Sequence, residues 1–300
     1  MDFKNIDEFD RGIIIKNVTS FELNHIFDCG QCFRWERQEN GNYIGVAYEK
    51  VIEVEKNGDD VYLYNSTKDD FNNIWMNFFD LQRDYQLIKE DLAKDSILKK
   101  SVEFGRGIRL LRQEPFEIVI SFIISANNRI PMIRRAINKI SAKWGKALEY
   151  KGKTYYSFPT LETLSKVTEE EFQECGVGFR AKYIKDTVDK IYKCSISDFD
   201  DKSFDLDYIQ SLDDDQCHKA LQSFSGIGPK VADCIMLFSM DKYSAFPVDV
   251  WVKRAMQHFY VAPDVSLPKI REFARNKFGD LSGFAQQYLF YYARENNIKI

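Results

Sequence analysis

Two residues in this 300-residue chain have a type and a setting suited to chemistry, Lys230 and Asp249. Lys230 stands in the stretch SGIGPKVADCI (225–235), where two glycines and a proline precede apolar residues at helical spacing. Gly226 and Gly228 permit a positive φ, and Pro229 suits the first turn of a helix. Lysine is disfavoured at that position, because the helix macrodipole is positive there. The dipole and burial together are expected to lower its pKa toward neutrality, and an amine that has lost its proton is a nucleophile. The backbone N–H groups of the same turn make an anion site. Phosphate binding and nucleophilic attack are therefore the two chemistries on offer. The bland alternative is a solvated lysine beside an ordinary Gly-x-Gly turn. Asp249 follows 19 residues later, in FPVDV (246–250), just ahead of an apolar-periodic segment. That is an N-cap position, which holds a carboxylate ionised and fixed.

The elements that must position these two residues are legible as patterns. Residues 213–240 read as helix, tight turn, helix. The first part of the chain reads as an antiparallel meander: GIIIKNV, CFRWERQ, YIGVAYE, VIEVEK and VYLYNS follow at short spacing, with hairpin dipeptides Asn40-Gly41 and Asn57-Gly58 between some of them. Helical patterns at 71–81 and 85–95 are expected to pack on it. From about residue 100 the pattern turns helical, with an apolar helix over 114–126 and a new helix starting near Pro131. Further helices are expected at 168–175, 181–193, 213–224, 229–240, 250–259, 267–277 and 282–296. The expected fold class is α+β. An N-terminal antiparallel β-sheet domain with helices (1–105) precedes an all-helical region (106–300) that contains the helix-turn-helix element at 213–240.

Composition narrows the function classes. The chain is 44% hydrophobic, which supplies a real core. No apolar run is long enough to cross a bilayer. The N-terminus is acidic and polar, neither a secretory signal nor a transit peptide, so the protein is expected to stay where it is made, in the cytoplasm or at the nucleoid if prokaryotic. Cys29, Cys32, Cys175, Cys194, Cys217 and Cys234 are expected to be free thiols. Only Cys29 and Cys32 form a CxxC, and without a second pair a zinc reading is weak. The net charge of −4 argues against non-specific coating of nucleic acid. The charge is uneven, however: 195–216 is strongly acidic, while 106–112 and 129–146 are basic.

A helix-turn-helix carrying GxGxK, followed about twenty residues on by PVD, resembles the helix-hairpin-helix–GPD superfamily of DNA glycosylases, and its 8-oxoguanine glycosylase/lyase branch in particular. CGQCFRW (29–35), GRGIRLLRQEPFE (105–117), SFIISANN (121–128), GVGFRAKYI (176–184) and GFAQQYLF (283–290) fit that branch in order. The resemblance implies a flipped base and a nucleophilic Lys230, with Asp249 stabilising charge at the sugar. It also implies strand nicking through a Schiff base. No cysteine follows Cys234, so the four-cysteine iron–sulfur cluster of some relatives is not expected, and no cofactor is required. The resemblance allows a structural cation on the backbone carbonyls of Gln222, Phe224 and Ile227. The expected partner is double-stranded DNA containing 8-oxoguanine, met by a monomer, with no membrane involved.

Carried over position by position, the resemblance makes Gly30 the carbonyl that accepts the N7–H of 8-oxoguanine. Gln286 reads the base edge, Phe290 stacks on the base, and Cys234 packs on its other face. Asn127 fills the hole left by the base, Phe179 is a wedge, and Arg180 reads the orphaned cytosine. Gly226 and Gly228 hold phosphate. Two positions depart from the family. Met132 stands where a second cytosine-reading arginine is usual, so preference for cytosine opposite the lesion is expected to relax. Trp251 stands where a histidine usually meets phosphate. A non-catalytic helix-hairpin-helix DNA-binding module needs the glycines but neither Lys230 nor Asp249. A glycosylase for another lesion, such as a formamidopyrimidine or 8-oxoadenine, would share all of these residues.

Overall fold

The computed structural model describes residues 1–196 and 201–298. Four residues of the acidic run, 197–200, lie outside it. Six strands form one antiparallel sheet: β1 Asn5–Phe9, β2 Gly12–Lys16, β3 Trp35–Arg37, β4 Tyr43–Ala47, β5 Lys50–Asn57 and β6 Asp60–Tyr64, in the order β1-β2-β6-β5-β4-β3. Asn40-Gly41 and Asn57-Gly58 make the turns expected of them. The β4–β5 turn uses Tyr48 and Glu49, both at positive φ, and carries no such dipeptide signal. The register places Trp35 opposite Gly45, where a Cβ would fall 2.2 Å from the indole. Glycine thus makes room for the ring, which stacks on Phe27 at 4.2 Å. Ile13, Ile15, Ile52, Val54 and Leu63 point to the same core.

One sequence expectation fails here in a way that matters. CFRWERQ reads as a strand, but only Trp35–Arg37 pairs. The preceding residues leave the sheet as a loop, with Cys29 and Phe33 packed into the core of the helical part. This brings Gly30 to the helices.

The helical part is built on α1 (Pro115–Ser125), buried from Ile118 to Ile124, and α2 (Ile130–Trp144). Next come α3 (Ala181–Ser195), α4 (Asp214–Leu221), α5 (Pro229–Ser239), α6 (Val250–Phe259), α7 (Leu267–Phe278) and α8 (Ser282–Glu295). These match the helical patterns closely, and most have a local start signal: a proline in the first turn of α1, α2, α5 and α7, and a capping aspartate at α4 and α6. α1 packs against α5, with Phe122 stacked on Phe238 at 5.7 Å. The second part is not wholly helical: β7 (Ala147–Tyr150) and β8 (Lys153–Tyr156) form a hairpin. Among the described residues no helix is long and apolar enough to cross a membrane.

The basic stretch 106–112 is not all surface charge. Arg109 is fully buried. It donates to the carbonyls of Ser20, Phe79 and Asp80 at 2.9 Å each and pairs with Asp2, over the ring of Tyr85. Arg112 pairs with Asp80 and Asp241. Arg109 therefore ties the N-terminus to the helices. Arg109→Met is expected to cost about 3 kcal/mol, since it leaves a carboxylate and three carbonyls short of a donor. Chemical denaturation checks this, and a loss under about 1 kcal/mol would reject the buried clamp.

Candidate active site

α4, a seven-residue turn and α5 form the helix-hairpin-helix. Gly226 has φ +83°, and a Cβ on it would sit 2.7 Å from the Tyr183 ring, so glycine is required twice over. Gly228 differs from expectation: it is extended at φ −92°, ψ 179°, and caps α5 without a positive φ. The exposed N–H groups of Gly226 and Gly228 have no protein partner among the described residues. The turn thus presents free donors at a helix N-terminus.

Lys230, in the first turn of α5, is half-buried, with its Nζ 5.7 Å from the centre of the Phe122 ring. Asp249 is the N-cap of α6, accepting the Val252 N–H at 2.8 Å. The two residues face one cavity of about 170 Å³, which Gly30, Cys234, Gln286 and Phe290 also line. A larger groove of about 910 Å³ lies on the outer side of α5; Lys230 lines it too, beside the Arg271–Asp233 and Arg275–Asp215 pairs, but Asp249, Gln286 and Phe290 do not. The smaller cavity is the one that gathers unspent chemistry.

Its electrostatics correct one expectation. Lys230 is not lowered; it is held above its ordinary value. The charge Cys234 takes on when it ionises contributes most, burial opposes, and Asp249 adds to the rise. Burial pushes the Cys234 thiol itself up to about 11. At neutral pH the thiol is therefore protonated, and the anion opposite the ammonium is Asp249. Burial also raises the Asp249 carboxyl, against the Val252 N–H bond and the Lys230 charge that stabilise its anion. The helix dipole and burial were readable in the sequence, whereas the two groups aimed at the amine were not.

The pocket residues differ in how they are held. Gln286 is buried on α8 and donates from Nε2 to the Pro247 carbonyl at 3.1 Å, while its Oε1 is buried without a partner. Gly30 has φ +81°, and a Cβ there would reach 3.4 Å from the Phe290 ring. Phe122 and Gln287 also line the cavity, and the sequence reading passed over both. The signal for Gln287 was an amide on an otherwise buried helix face, where a polar group needs a partner.

A second group lies outside the cavity. Asn127 is exposed at φ 51°, a conformation asparagine tolerates. Phe179 is 57% exposed and Met132 45%. Arg180 is buried, donating to the carbonyls of Ala126, Asn127 and Val177. In this state it holds the Asn127 loop and leaves no free edge for a base. Trp251 is half-buried, with the Arg254 guanidinium 5.0 Å from its ring centre.

Residues 13–119 match the family model described as 8-oxoguanine DNA glycosylase, N-terminal domain, and residues 120–280, more than half the chain, match HhH-GPD superfamily base excision DNA repair protein. The chain belongs to the 8-oxoguanine DNA glycosylase/lyase family. That makes it a base excision DNA repair enzyme, an N-glycosylase/DNA lyase. Its relatives include a probable N-glycosylase/DNA lyase of Methanothermobacter thermautotrophicus, 34% identical over 73% of this chain and 72% of the relative. The N-glycosylase/DNA lyase OGG1 of Arabidopsis thaliana is 32% identical over 91% of this chain and 77% of its own length. The crystal structure of the Clostridium acetobutylicum 8-oxoguanine glycosylase/lyase, in complex with dsDNA containing cytosine opposite 8-oxoguanine, is 64% identical. It superposes with a TM-score of 0.95 over 99% of this chain and all of that one.

Proposed function

We propose that this enzyme flips 8-oxoguanine out of duplex DNA into the 170 Å³ cavity and excises it there, then nicks the strand. The volume supports this: it lies below the ~300 Å³ at which pockets for drug-sized ligands begin, which suits one base and not a whole nucleotide. The observation that carries the reading is the orphan Oε1 of Gln286. A buried acceptor without a partner is costly, and Gln286 lines the cavity that Lys230 and Asp249 share. A donor on the edge of a bound base would satisfy it.

The Lys230 ammonium passes its proton through the Asp249 carboxylate, whose pKa burial raises, and on to solvent, so the carboxylate is charged again before attack. The free amine attacks C1′: the Nζ–C1′ bond forms, and the bond to N9 breaks with its electron pair going to the base. Sugar ring opening yields the Schiff base. Loss of a C2′ proton and departure of the 3′ phosphate then nick the strand. Asp249 stabilises positive charge at the sugar during the first step. Gly226 and Gly228 hold a phosphate through their N–H groups, and the indole N–H of Trp251 serves a second one. Phe290 and Cys234 take the two faces of the base, and the Gly30 carbonyl accepts its N7–H.

No step calls for a cofactor. The carbonyls of Gln222, Phe224 and Ile227 are hard oxygen donors in the hairpin turn, the type that suits group 1 and 2 cations. A cation there would add positive charge where phosphate approaches. The enzyme acts as a monomer on double-stranded DNA. On the orphaned strand, Asn127 fills the hole and Phe179 wedges the stack. Arg180 trades part of its hold on the 126–127 carbonyls for the cytosine.

Met132 cannot donate a hydrogen bond, so cytosine is read with one arginine fewer. Excision of 8-oxoguanine opposite each of the four bases tests the function and this feature together. Met132→Arg is expected to raise the cytosine-to-adenine activity ratio about tenfold, the worth of one bidentate contact. An unchanged ratio rejects the role of Met132, and no excision opposite any base rejects the function.

A further inference from the structure

The loop that carries Gly30 is fastened by its carbonyls in an unusual way. Asp28 O accepts Arg294 Nη2 at 2.6 Å, Cys29 O accepts Gln287 Nε2 at 2.9 Å, and Gln31 O accepts Gln113 Nε2 at 2.8 Å. The three donors come from the end of α8, its buried middle and the segment leading into α1. Gln31, fully buried, turns back from the loop: its Nε2 donates to Ile26 O and Arg109 O, and its Oε1 accepts the Leu111 N–H. Gln113 is itself fixed, its N–H bonded to Phe238 O on α5. In the run from residue 28 to 31, the Gly30 carbonyl alone accepts nothing among the described residues. Its glycine holds φ +81° beside the Phe290 ring.

We infer that Gln287, Gln113 and Arg294 are positioning residues for lesion discrimination: by saturating the neighbouring carbonyls they leave Gly30 O as the one fixed, unspent acceptor at the cavity wall. This rests on the proposed reading of Gly30. The physical reason is preorganisation. An acceptor on a mobile loop turns away from a base that lacks N7–H, at little cost. A clamped acceptor cannot, so guanine leaves it unpaired and facing a lone pair. Discrimination then depends on the stiffness of the loop as well as on the identity of Gly30. Gln287 is the most direct support, because it is 1% exposed, adjoins Gln286 on α8, and bonds the carbonyl one residue before Gly30.

Gln287→Met keeps the length and bulk of the side chain while removing the donor. Two quantities are read: the ratio of affinities for 8-oxoguanine and guanine duplexes in a Lys230→Gln background, and the single-turnover ratio of 8-oxoguanine excision to nicking of a preformed abasic site. Both are expected to fall about tenfold, the upper worth of one hydrogen bond. A general loosening would lower excision and abasic-site nicking together and leave both ratios unchanged, which overturns the inference. Gln113→Met, from a different element, is expected to act in the same direction and stands in if Gln287→Met does not fold. If the unsubstituted chain shows no preference for 8-oxoguanine over guanine, the reading of Gly30 itself fails. If that preference is present and neither variant reduces it, only the clamp is wrong.

Discussion

Lys230→Gln is expected to give no borohydride-trapped adduct with 8-oxoguanine duplex, and excision is expected to fall by ~10³-fold or more. Removing the nucleophile of a covalent path costs far more than removing a contact. Glutamine preserves length and polarity and stays compatible with the first turn of α5, so DNA binding through the Gly226 and Gly228 N–H groups persists. This separates binding from chemistry at the one residue where the hairpin places both. The same residue predicts a pH dependence. Lys230 is held above its ordinary value by Cys234, once ionised, and by Asp249, against burial. A raised amine is mostly protonated at neutral pH, and its reactive fraction grows by about tenfold per pH unit below its pKa. Adduct formation in the unsubstituted enzyme is therefore expected to accelerate from pH 6 to pH 9. A rate that is flat over that range shows an amine already neutral. An adduct that survives Lys230→Gln shows another nucleophile.

How the sequence yields this site is uneven in an instructive way. α5 and α6 were legible because their signals are local: Pro229 inside the first turn, Gly228 at the N-cap, and Asp249 capping Val252. β1 was missed, since NIDEF is an edge strand with no fully buried residue. The helix over Ser96–Phe104 was missed because Lys99 and Lys100 obscure the buried stripe of Leu98 and Val102. The loop carrying Gly30 was misread for a different reason. Its apolar residues look like a strand, but they serve the helical core, and Gln31 is satisfied by residues some eighty positions away. No window of sequence contains that bond. The charge state of Lys230 falls between these cases. Its helix position was local, while the groups that set its pKa reach it through i,i+4 spacing on α5 and through the packing of α6.

Asp249→Asn separates the two duties of that residue. Asparagine is about as good an N-cap as aspartate, so the bond to the Val252 N–H survives, and the melting temperature is expected to stay within what about 0.5 kcal/mol would move. The carboxylate charge is lost, and with it the stabilisation of the sugar cation and the acceptor for the Lys230 proton. Excision is expected to fall by about 10²- to 10⁴-fold, the range for loss of a positioned acid–base group. A smaller effect runs the other way. Asp249 raises the Lys230 pKa, so its removal frees more of the amine. That gain is capped by one Coulombic partner in a half-buried setting, on the order of tenfold, and the loss at the cation outweighs it. The two steps should therefore diverge. On a preformed abasic site no glycosidic bond needs breaking and the freed amine helps, so nicking is expected to fall much less than excision. Single-turnover rates on the two substrates, with the melting temperature measured alongside, decide the matter. Excision within tenfold of the unsubstituted enzyme would reduce Asp249 to a cap. A melting temperature that falls along with activity would trace the loss to α6.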